Sequence, residues 1–260
     1  MSNEYWAERT ALAQTRITNK SIKQIEAQLA KYYANTMNKV IADFESTHSK
    51  LMAAVEADEP PTPADLYKLD KYWHLQAQTR IELEKLGKKK IALLSKEFEL
   101  NWFEIYHSID IDGSAIYNTL DTATVQQMLA QIWCADGKSW SERIWEDTNE
   151  LLTTLNEGLI HTVAAGKKTT DLKNMLQERF NVSYSRADAL VRTELAHIQT
   201  QAAEQRYKDY GIKQVEIWAD KDERRCDICG KLHQKKYYIG EKVPIPAHPR
   251  CRCCIVPVVD

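Results

Sequence analysis

Cys226-Asp227-Ile228-Cys229 sets two thiols at a C-x2-C spacing, and after eighteen intervening residues His248-Pro249-Arg250-Cys251-Arg252-Cys253 brings three more metal-ligand side chains together. Two cysteines at that spacing present both sulfurs from one tight turn. A second turn then supplies the remaining ligands, which is how a closed tetrahedral zinc site of thiolates and imidazole is built. Five side chains compete for four places. Cys226, Cys229, His248 and Cys251 form the first set. Cys253 is the substitute, because residues i and i+2 share a face if 251–253 are extended. Disulfide pairing of the C-x2-C with the C-x-C is the rival chemistry. Zinc is preferred because the first residues carry neither a basic leader nor an apolar core, as a secretory signal would, and because a histidine stands between the pairs. A thiolate-rich set without an open position reads as structural, not catalytic.

The sequence around these residues is poor in bulky aliphatics. From Lys221 to Lys242 only Ile228, Leu232 and Ile239 stand out. A bound zinc would therefore supply folding free energy that burial does not, on the order of 10 kcal/mol in small peptides. The same tail is basic, with nine Lys or Arg against four Asp or Glu between Lys221 and Cys254. Arg224, Arg225, Lys235, Lys236, Arg250 and Arg252, interleaved with Tyr237 and Tyr238, are the candidates for phosphate pairing and base stacking. A solvated rim around the metal clip is the preferred reading, since the surplus is modest.

Across all 260 residues, 35 Lys or Arg balance 37 Asp or Glu, which excludes a polybasic protein that coats nucleic acid by charge alone. A hydrophobic share of 43% is that of a globular chain. Only 8 Gly and 7 Pro argue against an all-β sandwich. No apolar run is long enough to span a membrane. Five of the six cysteines fall in the tail, and Cys134, alone, is expected in the core.

The elements that must position the tail read as helices. Ile25, Leu29, Tyr32, Val40, Phe44 and Leu51 recur at steps of mostly three and four, predicting one long helix that packs on its neighbours. Glu59-Pro60-Pro61-Thr62-Pro63 ends it, and Asp58 to Pro63 is the best linker. A helix with Leu66, Leu69 and Trp73 inward should run to Leu86 and break at Gly87, with Lys88, Lys89 and Lys90 solvated. Another should span 91–106, followed by a turn at Asp110-Ile111-Asp112-Gly113. Helices are predicted at 122–133 and 140–165, the second capped by Gly166. A short one carries Leu172, Met175, Leu176 and Phe180. The next starts at a capping box, Ser185 with Asp188, and ends before Gly211. Val215, Ile217 and Ala219 then alternate as a strand. The fold class is mainly α: a long helical N-terminal body followed by a small α+β C-terminal domain with a Cys/His metal-clipped tail. The segments are 1–58, 64–135 and 140–260.

Arg192-Thr193-Glu194, then Gly211, Trp218, Asp222, Cys226-x-x-Cys229, Leu232, Pro246-x-His248-Pro249-x-Cys251-Arg252-Cys253 and Pro257 resemble the Mu F-like minor head proteins of tailed bacteriophages, also called head morphogenesis proteins. The resemblance covers roughly residues 140–257. Tyr5-Trp6 with Arg9, and Trp140 to Trp145, resemble the same proteins in phages of Gram-positive hosts. Relatives carry Asp-Gly where this chain has His233-Gln234, which puts a tight turn in doubt and makes His233 a further ligand candidate. The resemblance implies a minor structural component of the virion head near the portal vertex, assembled in the host cytoplasm. It implies association with the portal protein, and with scaffold or major capsid protein, in procapsid assembly and in DNA packaging or delivery. It implies no membrane and no small-molecule substrate. Some relatives are fused to toxin enzymes, for which this chain has no length left.

The alternative function is a DNA-binding zinc module acting during genome packaging or ejection. An enzyme would need Glu194 or Asp222 as general base and His248 as activator. No Ser-His-Asp order, phosphate loop or H-E-x-x-H accompanies them, so the sequence reads as no enzyme. Arg192 and Glu194, two apart on a helix, are expected to make separate salt bridges or to cap the tail. His161 and His197 read as satisfied helix residues.

Overall fold

A computed structural model of the protein describes residues 3–54, 70–111, 120–219 and 225–259. The linker at 58–63, Leu66, Leu69, part of the turn at 110–113, Asp222 and Arg224 lie outside the described residues. The architecture is mainly α with a small three-stranded sheet toward the C-terminal end, as the sequence predicted. Helices α1 (Asn3–Ala54), α2 (Asp70–Ser108), α3 (Thr122–Leu129), α4 (Trp140–Ala164) and α5 (Thr169–Asp209) precede β1 (Gln214–Trp218), α6 (Asp227–Leu232), β2 (Lys236–Tyr238) and β3 (Cys254–Pro257).

The chain forms two compact units, each assembled from separate stretches of sequence. One comprises Ala27–Ala92 and Trp140–Ala187, the other Met1–Glu26, Leu93–Ser139 and Asp188–Asp260. In the first, α1 buries Leu29, Tyr33, Thr36, Val40 and Phe44. The stripe includes Tyr33 and leaves Tyr32 half-buried, because steps of four and three from Leu29 reach 33 and 36. The part of α2 in this unit buries Tyr72, Leu75, Thr79, Leu83, Leu86 and Lys90, and Trp73, expected inward, is exposed.

Gly87 does not break α2. A Cβ there would lie 2.7 Å from the Trp145 ring, so the glycine serves close packing of α2 against α4. Lys90 is not solvated either. It is buried, with Nζ 3.2 Å from Tyr33 Oη and 3.5 Å from Asp147 Oδ2. Nor does a helix start at Ser185. α5 runs unbroken for 41 residues, because the segment before Ser185 holds no Gly or Pro. Ser183, two residues upstream, spends its hydroxyl on Asp147 Oδ2 at 2.6 Å and on Tyr33 at 2.9 Å.

The second unit holds the sheet, in the order β2-β1-β3, both pairs antiparallel. β1 buries Val215, Glu216, Ile217 and Trp218 alike, not one face only, since it is the central strand. Val215 pairs with Tyr237 and Pro257, and Ile217 with Ile255. Ala7 and Ala11 of α1 pack on Trp218, Cys254 and Val256. The fully buried Gln14 amide donates to Tyr207 Oη at 3.1 Å and to Ile255 O at 3.0 Å. The C-terminal ends of α2 and α5 close through Arg206, which lies 4.8 Å over the Tyr106 ring and donates to Ile109 O at 3.1 Å. Gly211 adopts φ +71 and Ile212 N reaches Tyr207 O at 3.0 Å, an αL stop that turns the chain from α5 into β1. Cys134 is half-buried, not core.

Candidate metal centre

The C-x2-C begins α6. Cys226 is its N-cap, in an extended conformation, and its Sγ accepts the Cys229 N–H at 3.4 Å. One helical turn therefore aims both sulfurs the same way, as the spacing predicted. That amide bond, the largest influence on Cys226, holds its thiol below the ordinary range and favours the thiolate. Residues 251–253 are irregular, and β3 starts only at Cys254. The loop before it nevertheless delivers its ligand atoms. His248 Nε2 lies 3.3 Å from Cys226 Sγ and 3.1 Å from Cys229 Sγ, and Cys229 Sγ lies 3.8 Å from Cys251 Sγ.

Two triplets result, Cys226-Cys229-His248 and Cys229-Cys251-Cys253, each with its ligand atoms within 4.8 Å of one another, and Cys229 belongs to both. This Cys/His cluster could hold a metal ion. Two thiolates on one tetrahedral ion with bonds of about 2.3 Å would stand roughly 3.8 Å apart, the separation seen between Cys229 and Cys251. His248 Nδ1 donates to Pro249 O at 2.8 Å, which leaves Nε2 as the free lone pair facing the sulfurs. A backbone carbonyl on the far nitrogen is the usual way a ligating imidazole is oriented. The same bond is the largest influence raising the His248 pKa. Hydrogen bonding between the Cys251 and Cys253 thiols pulls Cys251 down to about 5 and pushes Cys253 up, while burial pushes Cys229 up to about 12. All six cysteines are free thiols.

Of the other residues singled out, Cys254 lies in the core, with Sγ 3.8 Å from Trp218 O. His233 stands away from the cluster. Its Nδ1 accepts the Ala219 N–H at 3.3 Å and its ring meets Trp218 edge-on. The turn placed in doubt by His233-Gln234 is formed all the same, with Gln234 at φ +63 where a glycine would be relaxed. Arg225, Lys235, Lys236, Arg250 and Arg252 are exposed.

Thr193 Oγ1 accepts the Arg250 N–H at 3.0 Å, and Asp188 Oδ2 pairs with the Arg250 guanidinium at 2.9 Å. Arg192 binds Asp188 at 2.9 Å and pairs with Glu26, whereas Glu194 accepts Trp133 Nε1–H at 3.0 Å. Thr193 and Asp188 of α5 thus both meet Arg250 of the tail. No local signal marks this contact, since Asp188 and Arg250 are far apart in sequence and joined only by the fold.

Residues 153–256, from α4 to β3 and including the whole Cys/His cluster, match the family model described as Phage Mu protein F like protein. A curated relative is the NAD(+)--arginine ADP-ribosyltransferase EFV of Enterococcus faecalis (strain ATCC 700802 / V583), 27% identical over 144 residues, which are 48% of this chain and 29% of that protein. The chain thus spans less than a third of that relative's length. No solved structure matches the chain.

Proposed function

We propose that this is a minor structural protein of a tailed-phage head, associating with the portal and acting in procapsid assembly and DNA packaging or delivery, with one structural zinc ion in its tail. The observation that carries the reading is that the Mu F-like match spans the whole Cys/His cluster together with the helix and strands that frame it. Cys226, Cys229 and His248 would hold the ion, with Cys251 completing the set and Cys253 as its substitute. Bound there, zinc would tie α6 to the loop before β3 and give this tail the rigidity of a contact surface. Scaffold and major capsid protein are the further partners, and the head interior near the portal vertex is the location. Catalysis is not part of the proposal, because the arginine ADP-ribosyltransferase activity belongs to the name of a relative matched over 29% of its length.

A second reading, a DNA-binding zinc module acting in packaging or ejection, is favoured by the exposure of Arg225, Lys235, Lys236, Arg250 and Arg252 around the cluster. One co-sedimentation experiment separates the two. Purified full chain is mixed with cognate portal, with procapsids or with double-stranded DNA over a salt series. Association with portal or procapsids that survives Lys235→Glu with Lys236→Glu supports the head role. Binding to DNA alone, steeply salt-dependent and lost in that double variant, favours the second reading. Failure to bind portal or procapsids overturns the first.

A further inference from the structure

We propose that Thr193 and Asp188 of α5, through Arg250, are positioning residues of the metal centre: they fix the loop that presents His248 and Cys251. The inference rests on the metal reading and goes beyond it, because none of the three residues belongs to either ligand triplet.

Arg250 immediately precedes Cys251 and is held at φ +60. The left-handed region costs a residue with a Cβ on the order of 1 kcal/mol or more and persists only where the surroundings over-determine it. Here two contacts do so, one to the backbone and one to the side chain. The Arg250 N–H reaches Thr193 Oγ1 at 3.0 Å, and its guanidinium reaches Asp188 Oδ2 at 2.9 Å. Both acceptors are themselves fixed. The Thr193 hydroxyl donates to Ala189 O at 2.7 Å, which turns its lone pairs outward to the loop. Asp188 is held by Arg192 Nε at 2.9 Å, one helical turn away, and Arg192 is pinned in turn by Glu26.

The left-handed residue closes a tight turn in which Cys251 N meets His248 O at 3.2 Å. Without that turn, the imidazole and the Cys251 sulfur would not converge on Cys229. The grip therefore sets the two ligands in place ahead of the ion, and the ordering cost is met by folding of α5 and not by metal binding. Partners of this outer kind change metal affinity by about 10- to 100-fold when removed.

The test measures zinc affinity of the reduced full chain by competition with a chromophoric chelator, and thiolate-to-metal absorption after cobalt substitution. The wild type is expected to bind one ion per chain. Thr193→Val is expected to bind about 10- to 100-fold more weakly, with Thr193→Ser restoring most of the affinity because the acceptor oxygen returns. Arg250→Ala, which removes an exposed side chain and keeps the N–H, is expected to weaken binding through loss of the Asp188 pair. Far-UV circular dichroism checks that α5 persists; if Thr193→Val melts it, Arg250→Ala decides. Unchanged affinity in Arg250→Ala, alone or with an equally tight Thr193→Val, overturns the positioning role while the metal site stands. No ion bound by the wild type overturns the metal reading itself, and is seen before any variant is made.

Discussion

His197 stacks on Trp133 with ring centroids 4.3 Å apart, and burial brings its pKa from 6.5 down to about 4. Between those values the unfolded chain takes up a proton that the folded chain refuses. Stability therefore falls as pH drops from 6.5 to 4, by about 3 kcal/mol when the window is crossed. His197→Phe keeps an aromatic ring on Trp133 and is expected to flatten this acid limb, a difference read by guanidinium unfolding at pH 7 and pH 4. The sequence marked His197 only as a satisfied helix residue, and in the fold its buried Nε2 has no hydrogen-bond partner. The thiols were legible because their chemistry is local: a C-x2-C needs only one turn to aim two sulfurs. Thr193 and Asp188 were not, because a hydroxyl and a carboxylate on a helix say nothing about which distant backbone they will meet.

Lys90, Asp147, Tyr33 and Ser183 bring one buried ionic group from each of α2 and α4 together with one hydroxyl from each of α1 and α5. Removing one charge of such a pair strands the other, whereas replacing both partners by apolar side chains of similar volume removes a desolvation cost. Asp147→Ala is expected to lose roughly 3–5 kcal/mol, and Lys90→Met to destabilise as well, by less because Arg186 still lies 3.8 Å from Asp147. Burial pulls the Lys90 pKa below 10.5, so the unfolded chain binds the extra proton and stability rises as pH climbs toward 10.5. Lys90→Met should abolish that slope, as urea melts between pH 8 and 10 would reveal. Helix existence was legible from the three-four spacing at Ile25, Leu29, Val40 and Phe44. Helix continuity was not. Gly87 and Ser185 carry break signals that tertiary contacts overrule, by the Trp145 ring at the first and by the hydrogen bonds of Ser183 beside the second.

Both compact units draw on the long helices, and the metal centre lies wholly in the one that holds the sheet. An ion bound only by the folded chain should stabilise it by about 2.7 kcal/mol at a free concentration a hundredfold above its Kd. Thermal melts of the reduced protein with zinc or with chelator check this, and coincident curves would argue that the cluster takes up no ion in the folded state. The α-rich class was legible from composition and periodicity. The assembly of each unit from separate stretches was not, because periodicity reports which face is buried and never against what. One of these joins reaches across time as well as space. Gln14 closes on Ile255, 241 positions later. At about 5–20 residues per second, the ribosome takes on the order of ten to fifty seconds to make that interval. Throughout it the first helix waits with its partner strand unwritten, so this part of the molecule is completed only when the last strand has been made.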